Sequence, residues 1–140
     1  MSLSGINMPG DIIAKFESDR MSDSGARLVL KLENDNMIIE NDGLEVEQMV
    51  SQLPEAEPRY VIYDIKMMNR ANIEDFRTVF ILWMPMTSPV RMRMMYSSTK
   101  QQITNNIRGI AATLQAEEKD ELAMERIISK VNKQQGINNY

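Results

Sequence analysis

Residues 77–84, RTVFILWM, are apolar at almost every position, and Pro85 ends the run. A strand with one solvated face alternates apolar and polar side chains, so a run without alternation reads as a strand covered on both faces. Residues 59–66, RYVIYDIK, form a second run, β-branched and aromatic and bounded by Pro58. Strands of this kind need apolar layers above and below them.

The rest of the chain offers those layers. Pro9 suits the first turn of a helix reaching about Arg20, with Ile12, Ile13 and Phe16 on one face. Leu28, Leu30 and Leu32 alternate along residues 27–32, and Asn34, Asp35 and Asn36 close a hairpin onto a strand at 37–40. A short helix is expected over 44–53, stopped before Pro54, and a polar connection over 67–75. Ser88 reads as an N-cap with Pro89 at the first helical position, opening the longest helix, which runs to about Arg108 and stops at Gly109. Residues 110–115 suit a short strand, and 120–133 a last helix whose acidic start and basic end match the helix dipole. Residues 1–8 read as a flexible arm anchored by Ile6, and 134–140 as a polar tail. The order helix, hairpin, helix, hairpin, long helix, strand, helix favours one domain with a mixed sheet and helices on both faces, not a doubly wound parallel fold.

Composition narrows the function. The chain has 140 residues, enough to bury a core, and neither cysteine nor histidine. Thiol chemistry, Ser-His triads and His-ligated zinc are therefore impossible, and no disulfide framework exists. No run approaches the ~20 apolar residues of a membrane span. No glycine-rich phosphate loop is present. A soluble cytoplasmic protein without a cofactor or metal is expected.

Charge is unevenly distributed. The net charge is −4, yet residues 76–116 contain no Asp or Glu while holding Arg77, Arg91, Arg93, Lys100 and Arg108. On the long helix, Met92, Met95, Tyr96, Thr99, Ile103 and Ile107 recur at helical spacing and should face the sheet. Arg93, Ser97, Lys100 and Thr104 share another face, and Met94 lies between the two. Arg91 and Arg93 stand at the helix N-terminus, where cations oppose the dipole. Residues placed against local preference are functional candidates, and an acidic macromolecular partner suits them.

The stretch Trp83 to Lys100, WMPMTSPVRMRMMYSSTK, resembles the ADF/cofilin family of small actin-binding proteins. Shorter matches occur in order along the chain: Ser4-Gly5-Ile6, Ala14-Lys15-Phe16, Leu53-Pro54-Glu55, Arg59-Tyr60, Tyr63-Asp64, Gly109-Ile110, Leu114-Gln115-Ala116 and Lys130-Val131. The resemblance implies a mixed five- to six-stranded sheet, mainly antiparallel, sandwiched between helices on both faces. It implies binding to actin monomers and filament sides, promotion of severing and disassembly, no enzymatic activity, and a cytoplasmic monomer on the actin cytoskeleton. By the same resemblance Arg91, Arg93, Met94 and Lys100 match actin contacts, as does the arm Ser4, Gly5 and Ile6. Ser4 matches a regulatory phosphorylation site, where roughly −1.5 to −2 charge would be added beside a basic helix.

The departures concern the family's second, filament-gripping site. Glu74 and Asp75 precede the strand where the family is basic, leaving Arg77, Lys130 and Lys133 as the matching cations. Ser129 and Gln101 replace acids, Met86 replaces the Asp of the turn, and Thr104-Asn105 replace a basic pair linked to phosphoinositide binding. The expectation is retained monomer binding with weakened side-binding and severing, and weak or no phosphoinositide binding. The rival within the same fold is the glia maturation factor branch, which acts on the branched-filament nucleation complex. LPEAEPRY and MMY resemble that branch, while Pro89-Val90-Arg91, Arg93 and Leu114-Gln115-Ala116 resemble cofilin. A carboxylate hydrolase would depend on Asp64 or Glu117-Glu118, which nothing in the sequence gathers into one cleft. Nucleic-acid binding is not expected from an acidic chain with one basic helix and little aromatic interleaving.

Overall fold

The computed structural model describes residues 6–69 and 71–134. In chain order its elements are α1 (Gly10–Asp19), β1 (Arg27–Glu33), β2 (Asn36–Asp42), α2 (Val46–Gln52), β3 (Arg59–Met68), β4 (Glu74–Trp83), α3 (Val90–Asn106), β5 (Ile110–Ala116), a 3-10 turn at Lys119–Leu122, and α4 (Met124–Gln134). The five strands form one sheet in the order β2-β1-β3-β4-β5. All neighbours are antiparallel except β4 and β5, whose parallel pairing requires a crossover, and α3 supplies it.

Side-chain alternation divides the sheet into two cores. Tyr60 and Ile62 of β3 and Phe80 and Leu82 of β4 face one side, where Ile12 and Phe16 of α1 and Tyr96 and Ile103 of α3 cover them. Val61, Tyr63, Ile65, Val79, Ile81 and Trp83 face the other side, beneath Val46 and Met49 of α2 and Ile127 and Val131 of α4. The missing alternation in 77–84 is thus the signature of a central strand between two helix layers, as expected.

The β1–β2 hairpin closes with Glu33 opposite Asn36, and Asn34 and Asp35 both take the left-handed conformation (φ 51° and 62°). Two such residues make a type I′ turn, whose twist matches the flanking strands. At the α1–β1 junction Gly25 (φ 75°) passes so close to β3 that a Cβ there would lie 2.7 Å from Cβ of Asp64. Asp64, 3% exposed, accepts hydrogen bonds from the Ala26 amide (2.8 Å) and the Thr78 hydroxyl (2.6 Å), tying that junction to β3 and β4. It is a structural carboxylate, and Glu117 and Glu118 are exposed elsewhere.

Several boundaries differ from the sequence reading. β3 and β4 extend beyond their apolar runs because Met67 pairs with Asp75 and Met68 with Glu74, since a hairpin ladder propagates through backbone bonds whatever its side chains. Pro89, not Ser88, is the N-cap of α3: its ψ of 139° is extended, and its carbonyl accepts the amide of Arg93. The Ser88 hydroxyl is buried and makes no cap bond. The last helix is interrupted at Ala123, which is extended (ψ 138°) and whose carbonyl starts α4. On an unbroken helix Leu122 would point about 140° away from Ile127. The break lets both enter the same core. At the far end Gln134 closes α4 and exchanges two hydrogen bonds with the Thr113 backbone, at 2.9 and 2.8 Å. Ile6 and Met8, read as part of an arm, are 3% and 7% exposed and pack into the first core.

Candidate functional site

Two sets of hydrogen bonds fix α3 and its entry loop. The Trp83 indole donates to the Pro54 carbonyl (2.8 Å) and the Thr87 hydroxyl to the Glu55 carbonyl (2.9 Å), so the Leu53-Pro54-Glu55 segment holds both ends of the turn before α3. Further along, the Leu32 amide donates to the Tyr96 hydroxyl (2.8 Å), and the Tyr60 hydroxyl donates to the Tyr96 carbonyl (2.5 Å). Tyr96 therefore fastens α3 to both β1 and β3. Burial raises the Tyr60 and Tyr96 phenols above their ordinary pKa, so both stay neutral donors and acceptors at physiological pH.

Beside this clamp lies Arg59, 6% exposed, gripped by Glu40 through Nε (3.0 Å) and Nη2 (3.1 Å) and by Glu57 at 3.1 Å. Burial works against the charge of Arg59, but the hydrogen bonds and charge of Glu40 outweigh it and hold the guanidinium above its usual value. The pair locks the start of β3 to the edge hairpin. Sequence reading quoted Arg59 only as a family match; its partner Glu40 lies across the sheet and is invisible in linear spacing.

With α3 fixed on its inner face, its outer face is defined. Tyr96, Thr99 and Ile103 are buried and Met92 and Met95 pack against the core, as their spacing predicts. Arg91 is exposed, Arg93 and Lys100 are partly exposed, and Met94 is 67% exposed. Val90 (67%), four residues before Met94 on α3, is exposed as well, as is Met86 (64%) in the turn that precedes the helix. The exposed apolar pair Val90 and Met94 is the feature sequence reading missed, although their four-residue spacing on one helix carried the signal. A cavity of about 320 Å³ at the N-terminal end of α3 is walled in part by Ile6, Leu32, Arg91, Met92 and Met95, so Ile6 and Arg91 share one recess. Ser4 and Gly5 lie outside the described residues.

The charges of this face are uncompensated. Among the described residues, ion pairs engage Lys15, Arg20, Arg27, Lys31, Arg59, Arg77 and Arg126, but none involves Arg91, Arg93 or Lys100. The Nε of Arg93 is buried and has no hydrogen-bond partner there. Arg77, by contrast, is held by Asp75 at 2.6 Å. Lys130 and Lys133 ride on α4, the helix layer on the opposite side of the sheet from α3. The candidate residues thus fall into two groups: Ile6, Arg91, Arg93, Met94 and Lys100 near α3, and Arg77, Lys130 and Lys133 away from it. No helix among the described residues is long and apolar enough to cross a membrane.

A family model described as cofilin/tropomyosin-type actin-binding protein matches residues 5–132. Actophorin from Acanthamoeba castellanii is 29% identical over 136 residues, covering 94% of this chain and 98% of its own length. The cofilin of Streptomyces griseoflavus superposes with a TM-score of 0.81 at 20% identity, over 92% of this chain and 98% of that one. Glia maturation factor from Caenorhabditis elegans does so at 0.76 and 20% identity, over 93% and 98%. At such identities the superpositions establish a shared fold, in agreement with the sandwich described above. The chain belongs to the family of cofilin/tropomyosin-type actin-binding proteins, whose members act by binding and not by catalysis.

Proposed function

We propose that this chain binds actin monomers through the outer face of α3 and promotes filament disassembly and turnover, with filament side-binding and severing weakened. The observation that carries the reading is the exposed apolar pair Val90 and Met94 on α3 with Arg91, Arg93 and Lys100, cations that no carboxylate neutralises within the described structure. An apolar ridge edged by free cations suits a cleft with acidic walls. Ser4, Gly5 and Ile6 complete the surface in this reading, since Ile6 lines the same recess as Arg91. A phosphate on Ser4 would bring negative charge toward Arg91 and oppose binding.

The second site is poorly equipped for acidic filament subunits. Arg77 is already paired with Asp75, and Glu74 and Asp75 add exposed negative charge at the hairpin. Lys130 and Lys133 remain its free cations. Thr104 and Asn105 give α3 no further charge, so phosphoinositide binding is weak or absent. The protein acts as a cytoplasmic monomer on the actin cytoskeleton and does not bind nucleic acid.

Binding to monomeric actin, cosedimentation with filaments at near-neutral pH, and binding to the branched-filament nucleation complex test the reading together. The expected result is monomer binding with weak cosedimentation. Stoichiometric decoration of filaments would refute the weakened second site. Binding to the nucleation complex without monomer binding would favour the glia maturation factor reading, which the shared fold leaves open.

A further inference from the structure

We propose that the groove between α2 and the break in the last helix is a docking site for a basic amphipathic helix of a partner protein. It lies on the side of the sheet opposite α3, so it stands apart from the actin-binding reading and does not depend on it. Its origin is the extended backbone at Ala123, where the 3-10 turn ends and α4 begins. A recess of about 530 Å³ lies open beside that break. Val46 and Val50 of α2 line it together with Leu122, Ala123 and Met124. Val46 and Leu122 are buried, but Val50, Ala123 and Met124 are only partly covered. The volume falls in the range of about 300–1,000 Å³ that bound groups fill. Partly covered apolar side chains drawn from two helices form the kind of groove that takes one face of a third.

Charge selects the occupant. Glu47 of α2 and Glu125 of α4 stand exposed on the groove, one from each helix. Residues 117–125, EEKDELAME, hold five acids and one lysine. Among the described residues, only Asp120 of those five enters an ion pair, with Arg126 at 3.5 Å, and Glu47 enters none. Lys119 also lines the groove, but its ammonium donates to the Ser51 carbonyl (3.4 Å) and so ties the 3-10 turn to α2. Glu47 and Glu125 have a local reason for their places, since acids in a first helical turn complement the dipole. Glu118 has no such reason: it precedes the 3-10 turn, and its side chain makes no cap bond. An apolar recess edged by unpaired acids repels an acidic peptide or an anionic membrane. It matches a helix with leucine-like side chains on one face and lysine or arginine on the flanks. A segment held there leaves the outer face of α3 open, so one molecule engages two partners, one on each side of the sheet.

The test uses the full chain and a fluorescein-labelled helical peptide with leucines at i, i+3, i+4 and i+7 and lysines between them. Anisotropy is followed at about 0.15 M salt, where charges beyond about 8 Å are largely screened. Saturable binding is expected, with backbone amide shifts in the NMR spectrum concentrated in residues 46–51 and 119–125. The reversal E47K/E125K should weaken binding at least about fourfold, because each change turns an exposed attraction into a repulsion. Glu55 and Glu74 are exposed and do not line the groove, so E55K/E74K makes the same change in net charge and should bind within about twofold of wild type. V50N should cost at least about fivefold by placing an amide where a leucine is desolvated. Melting curves establish that each variant is folded, and if V50N unfolds, the two charge reversals decide the matter. Equal binding of a peptide with glutamates in place of lysines, or of the same residues in scrambled order, would overturn the stated chemistry of the partner. Equal affinities of E47K/E125K and E55K/E74K, or amide shifts centred elsewhere, would overturn the site. Self-association of the chain in sedimentation, abolished by E47K/E125K, would make the occupant a second copy and overturn the partner reading.

Discussion

Replacing Arg91 by Glu should make the protein more stable and stop it binding. Val90 opens α3, so Arg91 stands in the first turn, where the free amides carry the positive end of the helix dipole. Nothing there compensates that end: Pro89 gives no side-chain cap bond, and the first turn holds no acid. A cation at such a position is unfavourable by ~0.3–1 kcal/mol and an anion favourable by a similar amount. Reversal should therefore stabilise by about 0.6–2 kcal/mol, because Arg91 is exposed and makes no ion pair whose loss would offset the gain. At this chain length 1 kcal/mol moves the midpoint by roughly 3–5 °C, so the melting temperature should rise by about 2–10 °C. The effect should shrink in high salt, since it is electrostatic and near the surface. Against an acidic partner the same reversal replaces an attraction by a repulsion, and losing a desolvated interfacial charge pair costs about 2–5 kcal/mol, or at least about thirtyfold in affinity. Thermal melts followed by circular dichroism, with binding to fluorescently labelled monomeric actin at low salt, read both quantities. A fall in melting temperature would mean that Arg91 supports the fold. A rise with binding intact would mean that α3 does not grip actin, and the assignment of this surface would be withdrawn.

Two further outcomes concern the scaffold that aims α3. Asp64→Ala leaves the Ala26 amide and the Thr78 hydroxyl without their buried acceptor, so the urea midpoint should correspond to a loss of about 2–5 kcal/mol with the slope unchanged; a loss below about 1 kcal/mol would refute the tie between the α1–β1 junction and the sheet. Because burial raises the Tyr60 and Tyr96 phenols above the ordinary value of 10.0, their contribution is complete below that pH and is lost as pH climbs past it, when the unfolded chain releases protons that the folded chain retains. Phenolate absorbance near 295 nm and loss of helical dichroism should therefore rise together above about pH 10. Ionisation of these phenols at pH 10 with helices intact would contradict their burial.

The parts of the fold written in periodicity were legible in the sequence. The unalternating 77–84 run marked a strand covered on both faces, the leucines of 27–32 a strand of a hairpin, and the spacing of Tyr96, Thr99 and Ile103 the inner face of α3. What escaped were decisions made by tertiary contact. The break at Ala123 exists because Leu122 and Ile127 cannot share one core on an unbroken helix, and no local residue announces it. Asn69 accepts the amides of Ala71 and Ile73 through its side chain, tightening a hairpin whose composition looked like a longer loop. At the candidate surface, the cations were readable from charge, but their freedom from partners was not. Other cations take their carboxylates from elsewhere in the fold: Arg59 engages Glu40 across the sheet, Arg27 engages Glu45 at the start of α2, and Arg77 engages Asp75 on its own strand.

This partition explains how an acidic chain can present a basic surface. The acid-free stretch 76–116 takes in most of β4 and all of α3 and β5, and its strands are largely interior: residues 78–83 of β4 are buried, as are Ala112, Leu114 and Ala116 of β5. Of its cations, Arg77 is neutralised by Asp75 at the lip of the β3–β4 hairpin, and Arg108 follows α3 near the β5 turn. Only the outer face of α3 carries the rest into solvent, so the charge asymmetry of forty residues condenses onto one helix face about a Debye length across. Among the described residues no acid pairs with a cation of that face, while nine acids pair with cations elsewhere. Association with an acidic partner should accordingly be steered by α3 and slow steeply with ionic strength, although the protein as a whole carries a net charge of −4.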